Sequence, residues 1–115
     1  MIYRGRTTKP VKQLASLVSV PLRAAYRLLH PRPVVIVTAG TPERGNAMAA
    51  SWVTPVSFSP PMVAVAIAPE RFTHGLVRET REFALNVPGR DMIDCVNYAG
   101  TVSGREEDKI EGLKR

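Results

Sequence analysis

Apolar and polar positions fall into short blocks punctuated by proline and glycine, with no single long period. Residues 34–39, VVIVTA, are rich in branched side chains and predict a strand. Residues 46–61, NAMAASWVTPVSFSPP, predict one long strand. Small residues (Ala47, Ala49, Ala50, Ser51) fill its first half, hydroxyls recur at Thr54, Ser57 and Ser59, and Pro60 and Pro61 stop the pairing. Residues 62–68, MVAVAIA, are apolar without interruption and predict a strand buried on both faces. Residues 82–87, EFALNV, alternate and predict another strand.

Helical spacing appears elsewhere. Pro21 stands where a first helical residue would, Leu22, Ala25, Tyr26 and Leu29 recur at helical intervals, and Pro31 and Pro33 end the segment. Thr73 is positioned to cap a helix over 74–81, with Leu76 and Val77 inward. Residues 91–99 predict a helix with Met92, Ile93, Cys95 and Val96 inward, and 106–113 a charged, exposed helix. The order is helix, three strands, helix, strand, helix, helix. It argues for an α+β domain, mainly β, on an antiparallel sheet. Four strands are too few to close a barrel, so sheet edges must be covered or paired by another chain.

Charge changes the picture at one end. The net charge is +6, yet residues 1–40 hold seven basic groups and no acid, while 41–115 hold nine basic and ten acidic groups. The excess belongs to an arm, taken as residues 1–20, ahead of a domain over 21–115. An arm of this kind can meet nucleic acid or acidic lipid, but few aromatics interleave with its charges and no nucleic-acid module signature is present. A specific nucleic-acid partner is not expected. The apolar run 14–20 is interrupted by Ser16 and Ser19, and no run approaches the roughly 18 residues of a membrane span. Cys95 is the single cysteine, which excludes an internal disulfide and makes a reducing cytoplasm the simplest setting.

The chemistry-bearing residues exclude several classes. His30 and His74 lie far apart and Cys95 adds no ligand spacing, so no metal site is expected. No GxSxG, GxGxxG or Walker-type glycine loop is present. Ser103 has no identifiable base nearby. Two features remain. The small-residue stretch 46–61 suits either a tight core or a flat neutral ligand laid against a strand. Arg71 and Thr73, at a helix start, offer a guanidinium, a hydroxyl and free amides to an anion, or else a plain cap with a solvated arginine.

HPRPVVIVT, then NAMAASWVTPVSFSPPMVAVAIAPERFTHGLVRETREFALNVP, then GTVSGREEDK, resemble the flavin reductase-like family with the FMN-binding split-barrel fold, over about residues 21–112. The resemblance implies an antiparallel split β-barrel with peripheral helices, incomplete here, because members run well past GTVSGR with further strands. It implies FMN, with FAD as the alternative flavin, bound in a homodimer. Ala50, Ser51, Trp52, Val53 and Thr54 match the segment lining the ring and ribityl chain. Ala68, Arg71 and Thr73 match the turn that holds the phosphate, and Ser103 and Gly104 a loop near the flavin. The implied activity is hydride transfer from NAD(P)H to flavin and onward electron transfer to an acceptor the sequence does not identify. The alternative is a non-catalytic flavin-binding or interaction module completed by a partner chain.

Overall fold

A computed structural model describes residues 19–114, which divide between two units, one holding 19–30 and the other 31–114. Most of the basic arm 1–20, including most of the apolar run 14–20, lies outside the described residues.

In the first unit, α1 (Leu22–Ala25) passes into a 3₁₀ turn, Tyr26–Leu29. Neither segment buries a residue. Pro21 is extended, with ψ 132°, and precedes the helix instead of opening it. The Arg27 guanidinium stands 5.8 Å from the Tyr26 ring centroid.

The second unit carries five strands where four were expected. A hairpin joins β1 (Val35–Gly40) to β2 (Gly45–Ala50), with Thr41 and Arg44 exchanging backbone hydrogen bonds across the turn. Gly40, at φ 117°, adopts a conformation that a Cβ would strain, and a side chain there would strike the Arg44 carbonyl. β5 (Ala84–Asn86) pairs with the other edge of β1, giving the antiparallel order β2-β1-β5.

The long strand expected over 46–61 is two strands. β2 ends at Ala50, and β3 (Val53–Ser57) belongs to a second sheet with β4 (Met62–Val65). The chain leaves one sheet for the other at residues 51–52. β4 is also not the doubly buried strand its apolar run suggested: Met62, Val63 and Ala64 are exposed. Among the described residues each strand of this ribbon has just one pairing partner, so apolar composition did not translate into burial.

Alternation along β1 divides the core. Val35 and Val37 face a cluster with Ala50, packed by Met48, Val53, Val65, Ile67 and Leu85. Ile36 faces the opposite side with Ala47 and Ala99, packed by Met92, Cys95, Val96, Ile110 and Leu113. Burying Val37 completely contributes on the order of 1.5–3 kcal/mol.

Three helices flank this sheet. α2 (Phe72–Thr80) packs on β1 and β2 and buries Leu76. Arg71 occupies its cap position, while Thr73 is a buried residue inside the first turn and caps nothing. α3 (Ile93–Thr101) follows a 3₁₀ turn, Arg90–Met92; Cys95 and Val96 face the core, but Ile93 is largely exposed. α4 (Lys109–Gly112) is capped by the Asp108 side chain, which accepts from the Ile110 and Glu111 amides. α4 departs from the expected exposed helix, because Lys109 is buried.

Candidate functional site

The switch from β2 to β3 leaves the end of one strand facing the end of another. Between them lies an open cleft of about 730 Å³, lined by residues 48–52, residues 65–68, Arg71 and Gly100. Small side chains dominate, so backbone is accessible along both walls. Trp52 stands at this cleft, half exposed, with the Arg32 guanidinium 5.3 Å from its ring centroid.

A second cleft, of about 430 Å³, lies between the start of α2, the end of α3 and residues 102–105. Met48, Arg71 and Gly100 line both clefts, so the two are joined along Arg71. Asn46, Thr73 and Lys109 form the buried side of the second cleft.

These three residues have defined roles. The Asn46 Nδ2 donates to Thr73 Oγ1 at 2.8 Å. Asn46 Oδ1 is buried and has no partner among the described residues, an uncommon and costly state for an amide oxygen. Gly104 leaves the space above it: a Cβ there would run into that oxygen and lie 2.8 Å from the Phe72 ring. The Lys109 ammonium donates to the Ala47 carbonyl at 2.9 Å and the Ala99 carbonyl at 2.8 Å. It thereby ties β2 to the last turns of α3, where the helix dipole favours a cation. Burial, and secondarily the positive charge of Arg71, hold its pKa below the ordinary lysine value.

Arg105 completes the rim. Its Nη2 donates to the Glu70 carbonyl at 2.8 Å, and its guanidinium stands 5.9 Å from the Phe72 ring centroid. The second cleft thus gathers Arg71, Arg105 and Lys109 against the single carboxylate of Glu70.

Of the residues singled out from sequence, Ala50, Ser51, Trp52, Ala68 and Arg71 line the first cleft. Arg71, Thr73, Ser103 and Gly104 line the second. Val53 and Thr54 are the first residues of β3 and lie beyond both linings; the Thr54 hydroxyl donates to the Pro55 carbonyl at 3.2 Å. Asn46, Lys109 and Arg105 were not picked out. Lys109 sits in the acidic run EEDK, which gives no hint of burial. Among the described residues no group of metal-ligating side chains occurs, and no helix is long and apolar enough to cross a membrane.

The sequence profile described as "Flavin reductase like domain" matches residues 26–114. The chain belongs to this family. An uncharacterized protein of Pyrococcus abyssi is 46% identical over 88 residues, covering 76% of this chain and 51% of that protein. Among solved structures, flavoredoxin of Desulfovibrio vulgaris aligns with a TM-score of 0.69 at 31% identity, over 74% of this chain and 47% of that one. An FMN-binding protein from Thermus thermophilus, solved with 1-cyclohex-2-enone, aligns at 0.72 and 34% identity, over 86% and 55%. The chain spans about half the length of the curated relatives it matches. The flavin reductase-like architecture accounts for the two small antiparallel sheets, which correspond to part of a split barrel.

Proposed function

We propose that this chain binds FMN across the two joined clefts, as part of a homodimeric flavoprotein that oxidises NAD(P)H. The observation that carries the reading is the division of labour between the clefts. One is walled by small residues and accessible backbone, the other is cationic, and Arg71 belongs to both.

The second cleft fits a phosphate. Lys109 supplies a buried ammonium and Arg71 a forked donor that is charged at all working pH values. Because Thr73 Oγ1 accepts from Asn46, its own proton is left to donate outward to an anionic oxygen. Asn46 Oδ1 seeks a donor, and a ribityl hydroxyl is a donor of the right kind. Residues 103–104 bring backbone close to the same place, with Gly104 omitting the side chain that would fill it.

The first cleft fits the ring system. Ala49, Ala50, Ala66 and Ala68 allow a flat ligand to approach the backbone, and Trp52 closes one side. When bound, the flavin supplies the hydride acceptor and electron carrier that the side chains themselves lack. The residues bind, orient and exclude water; none is required as a general acid or base. FMN is favoured over FAD because the cationic groups converge on one cleft.

The test is anaerobic mixing of the FMN-loaded chain with NADH and with NADPH, following the visible flavin absorbance. Bleaching that requires bound FMN supports the reductase reading. Tight FMN binding with no bleaching by either nucleotide favours a non-catalytic flavin-binding module, a reading to which the exposed β3–β4 ribbon lends weight.

A further inference from the structure

The first cleft has walls but no proton donor for a ring bound in it. Among the described residues its lining holds Ser51, Trp52 and Arg71 with small and apolar side chains, and no Asp, Glu, His, Lys, Cys or Tyr. Arg71 also belongs to the second cleft. A hydride passed from a reduced nicotinamide to a flavin carries two electrons and one proton. The ring system then gains one negative charge unless a second proton follows, and this lining offers none. In a partly desolvated site an unbalanced charge is costly, so a nearby cation favours the reduced ring.

Arg32 is such a cation. The register of β1 with β2 sets Val35 opposite Ala50, so the chain ahead of Val35 runs past the residues that follow Ala50. Arg32 lies there, between Pro31 and Pro33. Proline fixes its own φ and restricts the residue before it, which limits the backbone freedom at Arg32. The residue is half-buried, and its guanidinium stands 5.3 Å from the Trp52 ring centroid. A guanidinium is weakly hydrated and stacks on aromatic faces, so the contact holds charge and indole together. Trp52 itself lines the cleft and is 49% exposed.

We infer that, with the ring system in the first cleft as proposed above, Arg32 is a positioning residue that acts through Trp52. It holds the indole at the cleft and sets beside it a positive charge that favours the reduced, anionic flavin over the oxidised one. Arg32 needs no bond to the flavin for this. Oxidised and reduced FMN carry the same phosphate, so groups that bind the phosphate serve both forms, whereas a charge near the ring separates them.

The test compares the native chain with Arg32→Gln, Arg32→Met and Arg32→Lys. Fluorescence titration gives the dissociation constant of oxidised FMN, and anaerobic equilibration with reference dyes gives the reduction potential of bound FMN. The two together give the affinity of the reduced form. In Arg32→Gln the preference for reduced over oxidised FMN should fall roughly three- to tenfold, the size of one partly screened charge. A tenfold fall lowers the two-electron potential by about 30 mV. Arg32→Met keeps an apolar stem against the indole and should behave as Arg32→Gln, so the result does not rest on the folding of one variant. Arg32→Lys keeps the charge and should keep most of the native potential. Arg32 lies outside both core clusters, and far-UV circular dichroism checks that each variant folds. An Arg32 with a merely structural role would weaken both redox forms alike and leave the potential unchanged, which would overturn this inference and spare the flavin reading. A potential lowered as far by Arg32→Lys as by Arg32→Gln would do the same. A native chain that binds FMN in neither redox form would remove the flavin reading and this inference with it.

Discussion

The Asn46 amide donates to the Thr73 hydroxyl across 2.8 Å, joining the second residue of β2 to the first turn of α2. Both residues are buried. The bond fixes the direction of the Thr73 hydroxyl, and that direction determines what the cleft presents to a ligand.

Asn46→Asp should reverse the bond. A carboxylate must accept from Thr73, turning its proton away from the cleft and adding a negative charge beside the phosphate position. FMN affinity should fall by at least roughly tenfold, since a charge-assisted hydrogen bond contributes about 1.5–3 kcal/mol. Thr73→Val should weaken FMN in the same direction. Titration of the two variants by flavin fluorescence checks both, with unchanged affinity in Asn46→Asp counting against this geometry.

Arg71→Ala should weaken FMN by roughly ten- to hundredfold, the value of one or two charge-assisted bonds to phosphate. Riboflavin, which has no phosphate, should lose far less. Parallel titrations with the two flavins decide it; equal losses would remove Arg71 from the phosphate site.

Lys109 makes the site pH-dependent. Its folded pKa lies below its unfolded value because burial and Arg71 disfavour the charge. Below the folded pKa the protonated ammonium carries that cost. As pH rises through the folded pKa towards 10.5, the unfolded chain holds more protons, and this group's contribution to stability rises. A bound phosphate favours the charged form, so FMN affinity should fall over the same window while riboflavin affinity changes less. Calorimetric titrations from neutral pH upward give both slopes.

Lys109→Met should cost about 1–3 kcal/mol of stability, since the Ala47 and Ala99 carbonyls lose the donor they share. Gly104→Ala should cost about 1–3 kcal/mol through overpacking against Asn46 and Phe72. Thermal unfolding of each variant, without flavin, measures these effects apart from binding.

Much of the architecture was legible because it follows local chemistry. The branched run at 34–39 became β1, and proline and glycine marked the right turns. What could not be read depended on long-range contacts. Residues 46–61 look continuous because nothing in ASW marks the change of sheet. The apolar run at 62–68 looked doubly buried because composition does not reveal whether neighbours exist. Arg71 and Thr73 could be placed at a helix start from sequence, but which of them takes the cap position could not, and Thr73 lies buried inside the first turn. Lys109 was hidden, since its burial is created by α3 and β2, which meet it from 10 and 62 residues away in sequence.

The most direct test of the central claim is a titration of the purified chain with FMN and, separately, riboflavin, followed by flavin fluorescence with mass in solution recorded alongside. Saturable binding near one FMN per chain, clearly tighter than riboflavin, is the predicted result. A folded chain that binds neither flavin, or binds both equally, would contradict the assignment of the two joined clefts to ring and phosphate.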